Sequence, residues 1–205
     1  MPDLAASIGS VCVYCASSDA ADPAYMEAAA AFGKALAEAG LRLVYGGGNI
    51  GLMGACARAA HDAGAKVLGV MPDFLRQREN LYGDVETVIV SSMHERKMVM
   101  FEQSDAFVVL PGGVGTLEEA IEMMSWRRLE VHRKPIVFYS PEGFWEPLFA
   151  LFQHTIDQRL TPAAFRETWR SVERVEDILP AVHDLAAHDG PVLEARMPNV
   201  ASDQR

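Results

Sequence analysis

The sequence predicts a three-layer α/β fold, with a mainly parallel sheet and helices on both faces. Short apolar runs of strand length alternate with longer helical stretches along nearly the whole chain. That rhythm favours parallel pairing through right-handed crossovers. Two of the runs break into glycine-rich turns before the next helix, at the edge where such sheets hold ligands. The 205 residues suit one sizeable domain and are too few for two comfortable ones. A single domain is expected over 1–190, with a C-terminal tail of mixed polarity over 191–205.

Each element follows from its residues. Val11–Ser17 is the first strand, and the Ala-rich stretch Pro23–Ala39 reads as a helix stopped by Gly40. Leu41–Tyr45 is the second strand, followed by a helix over Leu52–Ala63 that stops at Gly64. Lys66–Met71 and Glu86–Ser91 are the third and fourth strands. Between them Asp73–Gly83 has little periodicity and is expected as a loop or short irregular helix rimming the site. A helix over Met93–Ser104 leads to the fifth strand, Ala106–Leu110, and a further helix covers Thr116–Leu129. Pro135–Tyr139, a helix over Phe144–Gln158, a shorter strand near Thr168–Val172 and a helix from Val175 towards Ala187 complete the order. On the Phe144–Gln158 helix, Phe149, Phe152 and Ile156 form an apolar face that serves as core or subunit interface, with core the favoured reading.

Composition narrows the function. No apolar run approaches the ~20 residues needed to span a membrane. The start Met1-Pro2-Asp3-Leu4-Ala5-Ala6 lacks the basic residues and long apolar stretch of a secretory signal, so a cytoplasmic protein is expected. A formal net charge of −10 argues against nucleic acid as a partner. A small phosphorylated ligand needs only local cations, which Arg76, Arg78, Arg96 and Lys97 can supply. Cys12 and Cys15 form a C-x-x-C inside a strand, which points them to opposite faces. They read as buried thiols, since redox pairs of this kind begin a helix. The six histidines have no ligand spacing to one another, so no metal is expected.

Three turns fall at one edge of the predicted sheet. The first strand ends in Ala16-Ser17-Ser18, whose hydroxyls suit phosphate or sugar. The second ends in Gly46-Gly47-Gly48-Asn49-Ile50-Gly51-Leu52-Met53-Gly54, a G-x-G-x-x-G with Asp73 about twenty residues on, as in dinucleotide folds. Its glycines serve either a dinucleotide or tight helix–sheet packing. The fifth ends in Pro111-Gly112-Gly113-Val114-Gly115-Thr116-Leu117-Glu118-Glu119. There Thr116 is expected to cap the following helix, whose free amides and dipole suit an anion. Thr116-Leu117-Glu118-Glu119 also reads as a capping box, with Glu119 bonding back to the Thr116 amide. Arg96 and Lys97 follow Ser92-Met93-His94-Glu95 at a helix start, where cations oppose the dipole and point to a nearby anion. They serve either that anion or a surface bridge to Glu95 or Glu102. Arg96 is the natural cation to hold Glu119 in a fixed orientation, and His94 reads as a packing residue or a support behind the site, not a catalytic base.

The motifs Tyr45–Gly54, Ser92–Lys97 and Pro111–Glu119, with Cys15–Ser18 and the later Trp126, Leu129, His132, Lys134 and Pro135, together resemble the LOG family. These are cytokinin riboside 5′-monophosphate phosphoribohydrolases, often labelled lysine decarboxylases. The resemblance runs from about Val11 to about Leu185 and implies a Rossmann-like fold, usually homodimeric. It implies hydrolysis of the N-glycosidic bond of an adenosine 5′-monophosphate, plain or N6-modified, giving the free base and ribose 5-phosphate. No cofactor or metal is implied. The family's catalytic pair falls on Arg96 and Glu119. Substrate and phosphate contacts are expected at Ser17, Ser18, Gly47, Gly48, Met53, Glu79, Met93, Lys97 and the loop residues Gly112, Gly113, Val114, Gly115, Thr116, Leu117 and Glu118. Ala16, Val114, Arg128 and Glu130 depart from the commonest family pattern. A decarboxylase would need a Schiff-base lysine and a partner for the pyridoxal ring, and Lys97, the only lysine in a motif, suits phosphate better. The rivals are a non-catalytic nucleotide or molybdenum-cofactor carrier of the same fold, and an NAD-dependent dehydrogenase.

Overall fold

The computed structural model describes residues 8–188, so the N-terminal hexapeptide and the tail over 191–205 lie outside the described residues. The strands are β1 (Ser10–Tyr14), β2 (Arg42–Tyr45), β3 (Val67–Pro72), β4 (Glu86–Val90), β5 (Ala106–Val109), β6 (Ile136–Tyr139) and β7 (Arg170–Val172). They form one sheet in the order β4-β3-β2-β1-β5-β6-β7, and every pairing is parallel. The helices are α1 (Pro23–Glu38), α2 (Gly51–Asp62), α3 (Met93–Glu102), α4 (Val114–Arg128), α5 (Glu146–Asp157) and α6 (Ile178–Ala187). The expected elements are present, most of them slightly trimmed, and Asp73–Leu75 is a short 3₁₀ turn.

Strand periodicity sorts the core into two layers. Val11, Val13 and Cys15 face α1, α2 and α6, meeting Phe32, Leu52 and Val182. Cys12 and Tyr14 face α3, α4 and α5, meeting Met100, Met123 and the half-buried Phe149. Cys12 and Cys15 are therefore free, buried thiols on opposite faces. Central β5 is buried at all positions, and each large apolar side chain removed from water contributes about 1.5–3 kcal/mol.

The winding places the site. From β1 the chain steps outward through β2, β3 and β4, then crosses to β5 on the other side of β1. The turns after β1 and β5 consequently diverge, which opens a crevice at the carboxyl edge. At the opposite, amino edge Asp105 ties β5 to β1: its Oδ2 accepts from Gly9 N, Ser10 N and Ser10 Oγ at 3.0, 2.9 and 2.8 Å.

α5 corrects one expectation. Phe149, Phe152 and Ile156 do face inward, yet α5 has no fully buried residue. It covers the outer part of the sheet towards β7 and keeps one side in solvent, so amphipathic spacing overstated its depth.

α1 and α2 approach closely through small residues. A Cβ on Gly33 would stand 2.2 Å from the Cys56 carbonyl oxygen and 3.0 Å from Ala60 N, so the backbones can touch only where a glycine stands. Gly33→Ala must push α1 away from α2. The expected loss is about 2 kcal/mol, a fall in Tm of roughly 4–8 °C in a circular-dichroism melt. An unchanged Tm would show that the helices separate freely.

Candidate active site

A cleft of about 340 Å³ opens between the ends of β1 and β5. Cys15, Ala16, Ser17 and Ser18 form one wall and Gly113–Thr116 with Glu118 and Glu119 another. Met53, Met93 and Arg96 reach in from α2 and α3, and Leu75 and Glu79 from the segment after β3. Its size fits a small ligand.

α4 begins earlier than its sequence suggests. Its N-cap is Gly113, in extended conformation, so Thr116 is the third helical residue and no side chain caps the helix. The expected Thr116 cap and Thr116–Glu119 capping box are therefore absent, because Glu119 lies too far into the helix to bond back. Thr116 is buried instead, against Gly112. The amides of Val114, Gly115 and Thr116 find no acceptor among the described residues. They stand at the positive end of a 15-residue helix. A close variant of the capping box occurs on α3. Ser92 Oγ accepts from Glu95 N at 3.1 Å, and the Glu95 carboxylate accepts from Ser91 N and Oγ, each at 2.7 Å.

The second glycine turn is chemically occupied. Gly51 N donates to Asp19 Oδ1 at 2.8 Å, so a carboxylate of the protein already fills the start of α2. Met53 N donates to Ala16 O at 3.2 Å, and Asn49 N is shared between the carbonyls of Glu79 and Asn80. Gly48 bridges to Leu81, and the Gly47 carbonyl accepts from Tyr82 N. Gly47 and Gly48 thus hold the segment after β3 and do not line the cleft. Asp73 is exposed, pairs with Arg76 at 3.3 Å and does not line the cleft.

Arg96 is buried, and its guanidinium joins three pieces of chain. Nε donates to Val70 O at 3.1 Å, and Nη2 donates to Gly46 O at 2.9 Å while facing Glu79 Oε2 at 3.5 Å. Gly46 is required here, since a Cβ would fall 2.1 Å from Nη2. The carboxylate that pairs with Arg96 is therefore that of Glu79, not Glu119 as spacing suggested, and neither Glu95 nor Glu102 is its partner.

Lys97 turns away from the cleft. Its Nζ hydrogen-bonds Glu118 and lies 3.0 Å from Glu122 Oε2, clamping α3 to α4. One turn separates those two carboxylates on α4, so their own spacing sets the clamp. Gly112 and Leu117 are likewise outside the lining, the first beneath Thr116 and the second facing the core. His94 is exposed on α3, not packed. Cys15, Ala16 and Leu75 also line the cleft, although none was expected as a substrate contact. Cys15 and Ala16 were signalled by the Cys15–Ser18 turn, and Leu75 by nothing in its aperiodic segment.

Glu119 sits among these groups. Burial pushes its carboxyl up to about 7; the Arg96 charge draws it down, and Glu118 and Glu79 add to the rise. Glu79 is raised as well, by burial, against the pull of Arg96. Two carboxylates with raised affinity for protons thus share a cleft with a buried cation and unbonded amides.

The chain is similar to known proteins over most of its length. A family model described as "possible lysine decarboxylase" matches residues 53–182. The cytokinin riboside 5′-monophosphate phosphoribohydrolase LOG of Oryza sativa subsp. japonica is 44% identical over 149 residues, 72% of this chain and 62% of that protein. LOG7 of Arabidopsis thaliana, of the same printed activity, is 43% identical over 159 residues, 76% of this chain and 73% of that one. The chain belongs to the LOG family. The decarboxylase description fits this cleft poorly, since no lysine lines it among the described residues. Among solved structures, the molybdenum cofactor carrier protein of Chlamydomonas reinhardtii aligns with TM-score 0.68 over 88% of this chain and 99% of that one. The molybdenum cofactor binding protein of Rippkaea orientalis aligns at 0.66 over 88% and 98%. Both are 19% identical, a likeness of Rossmann-like fold alone.

The raised Glu119 carboxyl has a thermodynamic sign. Folding holds its proton more tightly than the unfolded chain does, so its contribution to stability is complete below about pH 4.5 and lost as pH rises through about 7. Glu119→Gln, uncharged throughout, is expected to melt higher than wild type at about pH 8, by of order 1–3 kcal/mol, and level with it near pH 4.5. Equal differences at both pH values would remove the link to ionisation.

Proposed function

We propose that this LOG-family protein hydrolyses the N-glycosidic bond of an N6-modified adenosine 5′-monophosphate, releasing the free base and ribose 5-phosphate. The observation that carries this reading is Glu119: a shielded carboxyl in the same cleft as the unbonded amides of α4. A carrier needs the anion-binding turn alone and has no use for a carboxyl held beside it. The relatives' printed activity supports the same chemistry.

In this reading the 5′-phosphate lies at the Val114, Gly115 and Thr116 amides, with the Ser17 and Ser18 hydroxyls opposite. Anchoring the phosphate fixes the ribose, so binding far from the reacting bond orients C1′. As the C1′–N bond lengthens the sugar becomes oxocarbenium-like. Ionised Glu119 stabilises that charge and takes a proton from the attacking water, while the bonding electrons leave with the base, which takes up a proton from solvent as Glu119 returns its own. Arg96 acts by holding Glu79 and the surrounding backbone, and Met53, Met93, Leu75 and Val114 give the cleft apolar surface for the base. No cofactor takes part.

The protein acts as a cytoplasmic homodimer through α4. Val114 is 84% exposed and Ile121 38%, and with Leu117 and Trp126 they form an apolar strip beside the cleft. Ile121→Asp is expected to shift light-scattering mass from dimer to monomer; an unchanged dimer would place the interface elsewhere.

Chromatography of products from adenosine 5′-monophosphate and from N6-isopentenyladenosine 5′-monophosphate tests the chemistry. Wild type is expected to release free base, faster from the preferred nucleotide. Glu119→Gln is expected to lose about 10²–10⁴ in kcat. Because the base form is required, kcat/KM should climb as pH rises through about 7. Folded protein that binds both nucleotides and frees neither base would favour a carrier.

A further inference from the structure

The charge balance of the cleft leaves a phosphate short of cations. Glu79, Glu118 and Glu119 line it against a single guanidinium, Arg96. Arg96 is already committed to Val70 O, Gly46 O and Glu79, and Lys97 to Glu118 and Glu122. A phosphate at the start of α4 therefore meets amides and a surplus of negative charge.

The segment after β3 can correct this. The amides of Arg78 and Glu79 both bond to Leu75 O at 2.9 Å, which makes Leu75–Glu79 one helical turn. In such a turn residues i, i+3 and i+4 share a side. Leu75 and Glu79 line the cleft while Arg76, Gln77 and Asn80 line an outer groove, so Arg78, which lines neither, stands at the rim on the side away from that groove. Arg78 is exposed, and no hydrogen bond or ion pair engages its side chain among the described residues. Arg76 differs on each count, since it pairs with Asp73 and lines an outer groove with Phe74 and Leu81.

We propose that Arg78 reaches over the mouth of the cleft and binds the 5′-phosphate, so that it selects nucleoside monophosphates over nucleosides. The inference rests on the nucleotide reading above. A guanidinium suits the task because its planar fork engages two phosphate oxygens at once and keeps its charge at every working pH.

The test compares the full-length wild type with Arg78→Ala, Arg78→Lys and Arg76→Ala, by calorimetric binding and steady-state kinetics on adenosine 5′-monophosphate and adenosine. Arg78→Ala is expected to weaken monophosphate binding about tenfold and raise KM to match, with kcat nearly unchanged. It should also flatten the salt dependence of monophosphate binding while leaving adenosine as it was. Arg78→Lys should recover part of the loss, and Arg76→Ala, which removes the same charge, should behave as wild type. Equal weakening for adenosine, or equal effects of Arg76→Ala and Arg78→Ala, would overturn the proposal. Wild type that binds the monophosphate but frees no base would defeat the hydrolase reading, while the binding ratio still decides Arg78. Base release with an unchanged ratio would defeat Arg78 alone, and no monophosphate binding by wild type would defeat both.

Discussion

The buried guanidinium of Arg96 is the constraint on which the cleft depends. One side chain from α3 bonds the carbonyl of Val70 within β3, the carbonyl of Gly46 just beyond β2, and the carboxylate of Glu79. Pairing of β2 with β3 already sets Gly46 beside Val70, and Arg96 adds the Glu79 side chain from the segment after β3 to that point. A buried ion pair adds little net stability, because desolvation offsets most of the attraction. Breaking one is different: it strands the remaining charge and two carbonyls in a dry site, at about 3–5 kcal/mol. The pair therefore acts as a locator, holding the segment after β3 against the sheet edge so that Leu75 and Glu79 face the cleft.

The two glycine turns show how similar sequences come to opposite ends. Both follow a strand and precede a helix, and both helices present unbonded amides at their starts. At α2 the protein supplies its own anion, Asp19, and the Ala16 carbonyl takes a further amide. At α4 glycine takes the cap position, which offers no side-chain oxygen, and the amides are left unbonded. The difference lies in which side chain folds back from the turn after β1, a matter that neither motif encodes.

Glu119 links stability to chemistry. Shielding raises its proton affinity, and the folded protein bears the cost of its ionisation as pH rises through about 7. A carboxylate that is costly to ionise in the free cleft gains most from a neighbouring cation, and the oxocarbenium-like sugar would supply one. The clamp from Lys97 to Glu118 and Glu122 keeps α3 and α4 together, so Arg96 and Glu119 hold their places on two different helices.

Fold class, nearly all of the elements and the edge that carries the candidate site are legible in the sequence. Those depend on period-two and helical apolar patterns and on glycine turns, all local signals. The sequence also carried the family, through Tyr45–Gly54, Ser92–Lys97 and Pro111–Glu119. Only the tertiary structure decided what each polar group does. Thr116 looked like a cap until Gly113 started the helix three residues sooner, and Lys97 looked like a phosphate ligand until α4 brought Glu118 and Glu122 to it. Arg96 found Glu79, seventeen residues back along the chain, across a turn with no readable periodicity. Side-chain partners are chosen by distances between elements, and local pattern fixes the elements without fixing those distances.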